Sequence, residues 1–461
     1  MSAFNELNAR TERLLPMLRR MVRRGNVTGL QKLLKRERAE DIAASMHHLT
    51  WSEQRALYRA VEDRDSAADL LAFLPESSVR EVAREITEEV MVDILDRMEP
   101  DDATDIVGVL PDELRARVLA GLDDEEDDVR GLLAWPPDSA GGIMSTAFFA
   151  LPDTATAGVA VQQLQRDGES IENVNYVYVV DARGVLIGVV SLRNLVVRPP
   201  HTPIVRFMTR DPITVGPMVD QEEVARYVAR YDLLAIPVID DQGCILGIVT
   251  VDDVVDVIRE EANEDMMRMA GVSDDAGDAG AVSVGTHVRR RFGWLLATVL
   301  GGIFAREIIS GYEDSLEARA TIAGFIPVIM GMGGNVGIQS ATVAVRGLAM
   351  GHVQLGGAFS FVAREAQVGV LLGIAYGAVL GLYGVLRPGG DPSEAMLLGV
   401  SVGLSVLAAT SGASLLGGGI PVLLSRFKVD PAVATGPLVT TLIDVIAVIM
   451  YFNIVQYMLG I

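Results

Sequence analysis

The sequence predicts a multidomain membrane protein with a cytosolic all-α helical-repeat domain, a tandem pair of α/β modules and a five-helix α transmembrane domain. Three observations support this fold class. Charged residues are concentrated before residue 291, long apolar runs are concentrated after it, and part of the charged half repeats at a fixed offset. Charge and apolar surface that are separated along a chain in this way favour a soluble part joined to a membrane part.

Residues 1–135 are expected to form an acidic helical domain. Between about residues 40 and 130, apolar residues return every three or four positions in short phrases that prolines interrupt. Pro75 and Pro111 occur in similar settings, which is typical of helical hairpins stacked on their neighbours. Asp101 and Asp105 share one helix face, and hard divalent cations are held by such carboxylate oxygens. A merely solvated acidic surface is the alternative.

A repeat follows, which we place at residues 136–262 with copies at about 144–199 and 208–262. VNYVYVVDARGVLIGVVSLRNLV (174–196) aligns without gaps on LLAIPVIDDQGCILGIVTVDDVV (233–255), at an offset of 59 residues. Each copy reads as a strand, a tight turn with Asp and Gly, a second strand and the start of a helix. The two copies should therefore form similar α/β modules.

A connecting helix and linker are expected over residues 263–290. The second module continues into DDVVDVIREEANEDMMRMAGV (252–272), and a stretch rich in Gly, Ala and Asp follows it. Acidic side chains three and four positions apart on one helix repel one another. This helix should therefore respond to a cation that binds beside it.

Five apolar segments follow, each near or above the roughly 20 residues that cross a bilayer. We place them at about 292–312, 321–345, 367–386, 395–425 and 431–460. Lys and Arg lie mainly on one side of these segments, which predicts a cytoplasmic N-terminal half and a C-terminus outside the cell membrane (inner or plasma membrane). The positive side carries Arg289, Arg290, Arg291, Arg346, Arg364, Arg426 and Lys428, and the other side carries Arg306, Arg319 and Arg387.

The last apolar segment contains one carboxylate, Asp444. An acidic group at the middle of a membrane helix costs roughly 2.5–3.5 kcal/mol, so it usually faces a bundle interior or a water-filled path. Gly436 and Thr440 precede Asp444 at intervals of four residues, which places a bare backbone, a hydroxyl and a carboxylate on one helix face. Such a face is typical of a cation pathway. The alternative is a buried Asp that only bonds a neighbouring helix.

Glycines are dense in the second and fourth apolar segments. Small residues let membrane helices approach closely, whereas a broken backbone is tolerated at membrane depth only where it is buried or lines a cavity. The polar Asn335 within the GGNVG stretch favours a break in the second segment. The glycines in question are Gly331, Gly333, Gly334 and Gly337, then Gly412, Gly417, Gly418 and Gly419.

Composition excludes several classes of protein. The net charge of −22, from 39 Lys and Arg against 61 Asp and Glu, argues against nucleic acid as a partner and in favour of cations. The single Cys244 excludes a disulfide framework within one chain. The sequence has no H-E-x-x-H motif and its five histidines lie outside the apolar segments, so we expect no intramembrane metalloprotease and no enzyme.

The repeat resembles a tandem α/β CBS pair, a module that often senses adenine nucleotides. In that module a Ser/Thr-x-x-Asp sequence at the end of the second hairpin strand contacts the ribose. The second copy has Thr250 and Asp253 in these places, and the first copy departs from the pattern with Ser191 and Asn194. The resemblance therefore implies ATP at the second copy, through Thr250 and Asp253. The alternative is a purely structural pair, in which a hydroxyl and a carboxylate at a helix start form an ordinary N-cap.

Four further stretches resemble the MgtE family of magnesium channels. They are GFIPVIMGMGGNVGIQSATVAVRGLA (324–349), DPAVATGPLVTTLIDVIAVIMY (430–451), WPPDSAGGIMSTAFFALP (135–152) and EEANEDMMRMAGV (260–272). The order of parts agrees along nearly the whole chain. The resemblance implies a homodimer in membrane lipid, with a pore lined by the second and fifth spans. It also implies that the cytosolic half closes this pore when internal Mg2+ is high.

Carried over residue by residue, the resemblance assigns the pore and its metal to Asp444, Asn335, Gly436 and Thr440. It assigns regulatory Mg2+ to Asp101, Asp105, Asp220, Glu222, Asp232, Asp253, Asp256, Glu261, Glu264, Asp265 and Asp430. The expected function is Mg2+-selective uptake through a channel that internal Mg2+ closes. The alternative is a secondary transporter that couples Mg2+ to Na+ or H+, which the single intramembrane carboxylate disfavours.

Overall fold

The computed structural model describes residues 2–122, 126–167, 174–272, 284–350, 353, 357–386, 392–432 and 436–460. The expected linker lies largely outside the described residues, as does Arg387. The chain divides into two compact units. The first comprises Met1–Glu261 with Gly277–Ala281, and the second comprises Ala262–Ala276 with Val282–Ile461.

The first unit begins with a stack of mostly short helices. Helix α3 packs on α5, α4 on α6, α5 on α7 and α7 on α9, so each hairpin rests on the next. Pro75 and Pro111 stand directly before α6 and α9, where a fixed φ and a missing N–H do no harm. This arrangement confirms the helical-repeat prediction. The helices are α1 (Ser2–Arg23), α2 (Val27–Leu34), α3 (Ala39–Met46), α4 (Trp51–Tyr58), α5 (Arg64–Ala72), α6 (Glu76–Ala83), α7 (Glu88–Leu95), α8 (Pro100–Val109), α9 (Asp112–Leu119) and α10 (Glu126–Leu132).

The two α/β modules complete the first unit. Strands β1 to β4 form one sheet in that order, with β1 parallel to β2 and the other pairs antiparallel, and β5 and β6 form an antiparallel hairpin. The strands are β1 (Ala150–Pro152), β2 (Tyr176–Val180), β3 (Leu186–Ser191), β4 (Thr209–Arg210), β5 (Ala235–Ile239) and β6 (Ile245–Thr250). The helices are α11 (Ala157–Asp167), α12 (Leu192–Val197), α13 (Gln221–Tyr231) and α14 (Val251–Met269), with a 3-10 turn at Ile204–Arg206.

The repeat appears in the hairpins at the same offset as in the sequence. Both strands of the β2/β3 hairpin recur 59 residues later in β5/β6. The Asp181 carboxylate accepts the N–H groups of Arg183 and Val185 at 2.8 and 3.0 Å. The Asp240 carboxylate accepts those of Gln242 and Cys244, both at 2.8 Å. The same side chain therefore builds the same turn twice, as expected from its propensity for Asx turns.

Each module receives a methionine from the segment that opens the other module. A Cβ at Gly188 in β3 would lie 2.7 Å from the sulfur of Met208, and a Cβ at Gly247 in β6 would lie 2.9 Å from the sulfur of Met144. The backbone of Ser145 also pairs with Ile248 in β6. The two copies consequently pack as one body with reciprocal contacts.

The second unit contains helices that are long and apolar enough to cross a membrane. Five candidate spans lie at Arg291–Ser310, Ala320–Ala349, Ala358–Leu386, Pro392–Arg426 and Val439–Leu459. These are the five apolar segments expected from the sequence. The helices are α15 (Val284–Ser310), α16 (Glu313–Ala318), α17 (Ile326–Ala349), α18 (Ala358–Leu386), α19 (Pro392–Arg426) and α20 (Pro437–Leu459), with a 3-10 segment at Ala320–Phe325.

Three details differ from the sequence-based expectations. The expected break at GGNVG is wrong, because α17 is one continuous helix through these glycines. The fifth membrane helix begins at Pro437 instead of residue 431, since a proline is suited to the first helical position. The third begins at Ala358 instead of 367, because a helix continues past the purely apolar stretch. In addition, α14 is continuous across the boundary expected at residue 262.

Candidate cation pathway and acidic sites

Helices α17 and α20 approach each other through bare backbone. A Cβ at Gly334 would lie 3.3 Å from Asp444 Oδ1 and 3.5 Å from Thr440 Cγ2. A Cβ at Gly337 would lie 2.2 Å from Ile443 Cδ1, so a side chain there would have to displace the end of Ile443. The glycines therefore let the carboxylate-bearing face of α20 lie directly against α17.

Asp444 is half-buried at this contact. Within the described residues its carboxylate has no hydrogen bond and no ion pair, and it lies against Gly334 of α17. A carboxylate held partly out of water without a protein partner is unfavourable unless a cation or water satisfies it. An Asp444 carboxylate paired with an arginine would have ruled out the cation pathway, and the described residues show no such pair.

The other candidate pore residues lie near one end of this contact. Thr440 is half-buried one turn before Asp444, and its hydroxyl is 3.5 Å from the carbonyl oxygen of Gly436. Gly436 is the residue that precedes α20 and has extended backbone, so it lies at the helix start and not on the helix face that the spacing predicted. Asn335 follows Gly334 on α17 and is exposed.

A second group of carboxylates lies in the first unit. Asp105 on α8 interacts with Asp101 on the same helix and with Asp253 at the start of α14. The Thr250 hydroxyl donates a 2.5 Å hydrogen bond to the Asp253 carboxylate. One oxygen of Asp101 is buried without a hydrogen-bond partner in the described part of the chain. We call Asp101, Asp105 and Asp253 the acidic cluster.

The acidic cluster has strongly perturbed titration. Burial raises the pKa of Asp101 to about 6, with a further contribution from the charge of Asp102. Burial raises the pKa of Asp105 to about 7, and the neighbouring carboxylates add to this. Burial and the charge of Asp101 raise the pKa of Asp253 to about 7. Without a counter-ion, ionising all three near neutral pH is therefore costly.

The described residues contain no set of three Asp, Glu, His or Cys side chains already arranged to hold a metal ion. This does not conflict with the acidic cluster as a Mg2+ site. Mg2+ dehydrates reluctantly and is commonly held by one or two carboxylates while it keeps several waters. Carboxylates that repel one another across a junction fit such an ion better than they fit a fully dehydrated one.

Other predicted regulatory residues in the first unit lie apart from the acidic cluster. Asp256 is exposed and pairs with Arg259 at 3.3 Å. Glu261 accepts a 2.7 Å hydrogen bond from the Gln221 amide. Asp220 caps α13 by accepting the N–H of Glu222 at 2.9 Å. Asp232 ends the same helix in the left-handed conformation, with φ +51°, which Asp tolerates better than most residues.

Three of the predicted regulatory residues lie in the second unit, and two of them are paired with an arginine. Arg268 on α14 forms ion pairs with Glu264 and with Asp430. Asp430 also accepts the backbone N–H of Ala432 at 2.7 Å. Asp265 is half-buried on the same helix. The Arg268 guanidinium therefore binds carboxylates for which the sequence predicted only a divalent cation. The many acidic residues of this helix gave no indication of this pairing.

Sequence reasoning missed two further residues near the proposed sites. Ser145 is 1% exposed and hydrogen-bonds Asp101, although its motif suggested only a module start. Glu365 is the eighth residue of α18 and lies within a candidate span. Its side chain is half-buried, and a Cβ at Gly418 on α19 would lie 3.2 Å from it. By length and composition the helix that carries Glu365 could cross a membrane, so Glu365 is a second carboxylate to consider beside Asp444.

Comparisons with known proteins agree with this architecture. The model of the divalent cation transporter family MgtE matches residues 326–454, that of the MgtE intracellular N domain matches 37–138, and the CBS domain matches 140–199 and 204–260. The described fold places the helical stack, the two α/β modules and the candidate spans in these same ranges. Each part of the chain therefore has its own match.

Characterised relatives match over almost their whole length. The magnesium transporter MgtE of Bacillus subtilis (strain 168) is 30% identical over 435 residues, which cover 94% of this chain and 95% of the relative. MgtE of Thermus thermophilus is 33% identical over 455 residues, which cover 97% and 99%. The crystal structure of the cytosolic domain of the Mg2+ channel MgtE in complex with ATP has 30% identity and a TM-score of 0.50, and covers 53% of this chain and 99% of that one. This chain belongs to the MgtE family of magnesium transporters, multi-pass membrane proteins with an intracellular N domain.

Proposed function

We propose that this chain forms a Mg2+-selective channel that mediates magnesium uptake and that internal Mg2+ closes. The observation that carries the proposal is the Asp444 carboxylate, half-buried in a membrane helix and without a protein partner among the described residues. The working assembly is a homodimer in lipid, with the N-terminal half cytoplasmic and the C-terminus outside. A relative of this chain is named as a Mg2+ channel, which supports a channel mechanism.

In the proposed pathway the ion keeps its water shell beside Asp444. Mg2+ loses water reluctantly, so a carboxylate that contacts the water shell can select it without stripping it. The glycine at position 334 leaves room beside the carboxylate, because even one added carbon would be in close contact with it. Asn335, Thr440 and the Gly436 carbonyl supply further polar groups along this route.

The proposed gate works through repulsion between carboxylates. Near neutral pH the acidic cluster disfavours the compact arrangement of α8 and α14, because ionising three buried carboxylates that repel one another is costly. Mg2+ bound between these side chains favours the compact arrangement. Each ion can shift the equilibrium only by its differential affinity for the two states, so several weak sites are needed for a sharp response. Asp220, Glu222, Asp232, Asp256, Glu261, Glu264, Asp265 and Asp430 are proposed as further contributors.

ATP is proposed as a second ligand, at the CBS pair. The cytosolic domain of a relative was solved with ATP, and the hydroxyl of Thr250 lies at the end of β6, as in the nucleotide-binding pattern. Thr250 also bonds Asp253 of the acidic cluster. Thr250→Val should therefore reduce ATP binding, measured by calorimetry on the full-length protein, whereas Ser191→Ala in the first copy should leave it unchanged.

A coupled transporter is the second candidate, and Glu365 favours it, since carboxylates within spans often carry protons in transporters. The experiment that tests the channel proposal is Mg2+ flux into liposomes that contain the purified protein, with internal Mg2+ varied and no Na+ or H+ gradient. A channel gives flux that falls as internal Mg2+ rises. Flux that requires a Na+ or H+ gradient, and that Glu365→Gln abolishes, would contradict it.

A further inference from the structure

A chain of hydroxyl groups joins three membrane helices two turns from the Asp444 contact. Ser340 Oγ on α17 lies 2.8 Å from Ser414 Oγ on α19, and Ser414 Oγ donates a 2.6 Å hydrogen bond to the carbonyl oxygen of Glu365 on α18. Ser340 is 3% exposed and Ser414 is fully buried. These are hydrogen bonds between helices from which water is excluded.

The direction of the chain follows from proton counting. A serine hydroxyl has one O–H to donate and two lone pairs to accept. Ser414 donates to the Glu365 carbonyl, which can only accept, so Ser340 must be the donor to Ser414. Both hydroxyls are then satisfied, and neither can turn away without leaving a buried polar group unpaired.

Tight packing holds Ser414 in place on the other side. A Cβ at Gly369 on α18 would lie 2.5 Å from Ser414 Cβ, and the Thr410 hydroxyl reaches the Gly369 carbonyl at 3.2 Å. Helices α18 and α19 are therefore locked together around Ser414. Ser414 Oγ is therefore a hydrogen-bond acceptor at a fixed position for the Ser340 hydroxyl on α17.

Around Ser340 the contact between α17 and α19 is made by bare backbone, whereas nearer the start of α17 the side chain of Ile329 lies in one buried apolar cluster with Val402 and Val406 of α19. A Cβ at Gly417 would lie 2.2 Å from the carbonyl oxygen of Gly337. Such contacts allow close approach, but glycine surfaces have no side chains that interlock at one register. Gly337 is three residues before Ser340, and Gly334, which faces Asp444, is three residues before Gly337. Any sliding or rotation of α17 would thus move Gly334 and Asn335 relative to Asp444.

We propose that Ser340 and Ser414 are positioning residues for ion selectivity, because their hydrogen bond helps to set the register of α17 and thereby the place of Gly334 against Asp444. This inference rests on the proposed pore. Neither serine meets the ion. Their loss should widen the range of geometries at Asp444, so that the site discriminates less well between the small Mg2+ ion and the larger Ca2+ ion.

The test compares Ser340→Ala, Ser414→Ala and the double variant in liposomes, by the reversal potential with Mg2+ on one side and Ca2+ on the other. Interhelical hydrogen bonds in membranes are modest, so we expect each single variant to lower the Mg2+/Ca2+ permeability ratio about three- to tenfold. The double variant should lower the ratio no further than Ser414→Ala alone, since that variant already removes both the bond to Ser340 and the bond to Glu365. Ser405→Ala is the matched control, because Ser405 is fully buried on α19 but donates only within its own helix, to Ser401 at 2.7 Å.

An unchanged permeability ratio in both single variants, additive losses in the double variant, or an equal loss in Ser405→Ala would each overturn the inference. If an alanine variant does not reconstitute, Ser340→Cys replaces it, because a thiol is only a weak donor. Asp444→Asn is measured in the same preparation. If Asp444→Asn keeps selective Mg2+ flux, the proposed pore itself fails; if it does not and the serine variants behave as wild type, only this inference fails.

Discussion

Replacing Asp105 by Asn should stabilise the junction of α8 and α14 in the absence of Mg2+. The amide keeps the shape of the side chain and removes one buried charge. Burial and the neighbouring carboxylates raise the pKa of Asp105 from 3.8 to about 7. A shift of about three units corresponds to about 4 kcal/mol at pH values above both pKa values. Because the acidic cluster shares this cost, we expect a gain of about 2–4 kcal/mol.

The assay is urea unfolding of the full-length protein in detergent, near pH 8 and in EDTA, followed by the fluorescence of Trp135. Trp51→Phe and Trp294→Phe remove the other two tryptophans. Asp256→Asn is the matched control, because Asp256 lies on α14 but is exposed and paired with Arg259. Its effect should stay within about 0.5 kcal/mol, as for most surface changes. The reasoning is refuted if Asp105→Asn destabilises the junction under these conditions or if Asp256→Asn stabilises it equally.

The remaining predictions concern pH and two further contacts. In EDTA the wild-type junction should be most stable below about pH 4 and lose stability as pH rises through about 7. The reason is that the folded state raises the carboxyl pKa values and so binds more protons than the unfolded chain. Saturating Mg2+ should flatten this dependence in the same urea assay, and a rise in stability with pH would contradict the prediction. Arg268→Gln leaves the Glu264 and Asp430 carboxylates without their arginine. Because these two charges then repel each other, closure of the channel should require more internal Mg2+ in the liposome flux assay. Arg259→Gln, at an exposed arginine, should not shift the dependence of flux on internal Mg2+. Gly334→Ala places a methyl group 3.3 Å from the Asp444 carboxylate and should lower Mg2+ conductance several-fold. Gly331→Ala is the control and should conduct as wild type, because no atom lies within 4 Å of the added carbon. Equal conductance in the two variants would argue against a pathway at this contact.

Repetition and periodicity made much of the fold predictable. The 59-residue offset identified both hairpins, because the same Asp and Gly positions build the same turn in each copy. The apolar runs identified the membrane helices for the same reason that they are stable in lipid. The helix ends were less predictable, since the starts of α20 at Pro437 and of α18 at Ala358 depend on local backbone preferences and not on hydropathy.

The sequence indicated which residues could take part in the candidate sites, but not which of them contact one another. Asp101, Asp105 and Asp253 could be proposed because carboxylates suit Mg2+, yet only the three-dimensional structure shows that Asp253 lies within electrostatic reach of Asp101 and Asp105. The pairing of Asp430 with Arg268 joins residues 162 positions apart, which no local pattern reports. The bond between Ser340 and Ser414 is equally remote in sequence, and serine is too common in membrane helices to indicate it.

Single-channel recording tests the central claim most directly. Purified wild-type protein and Asp444→Asn would be placed in planar bilayers with Mg2+ as the sole permeant cation and no Na+ or H+ gradient. We expect unitary Mg2+ currents from the wild type that internal Mg2+ suppresses, and no such currents from Asp444→Asn. Equal unitary currents from both proteins would show that the Mg2+ pathway does not depend on the Asp444 carboxylate.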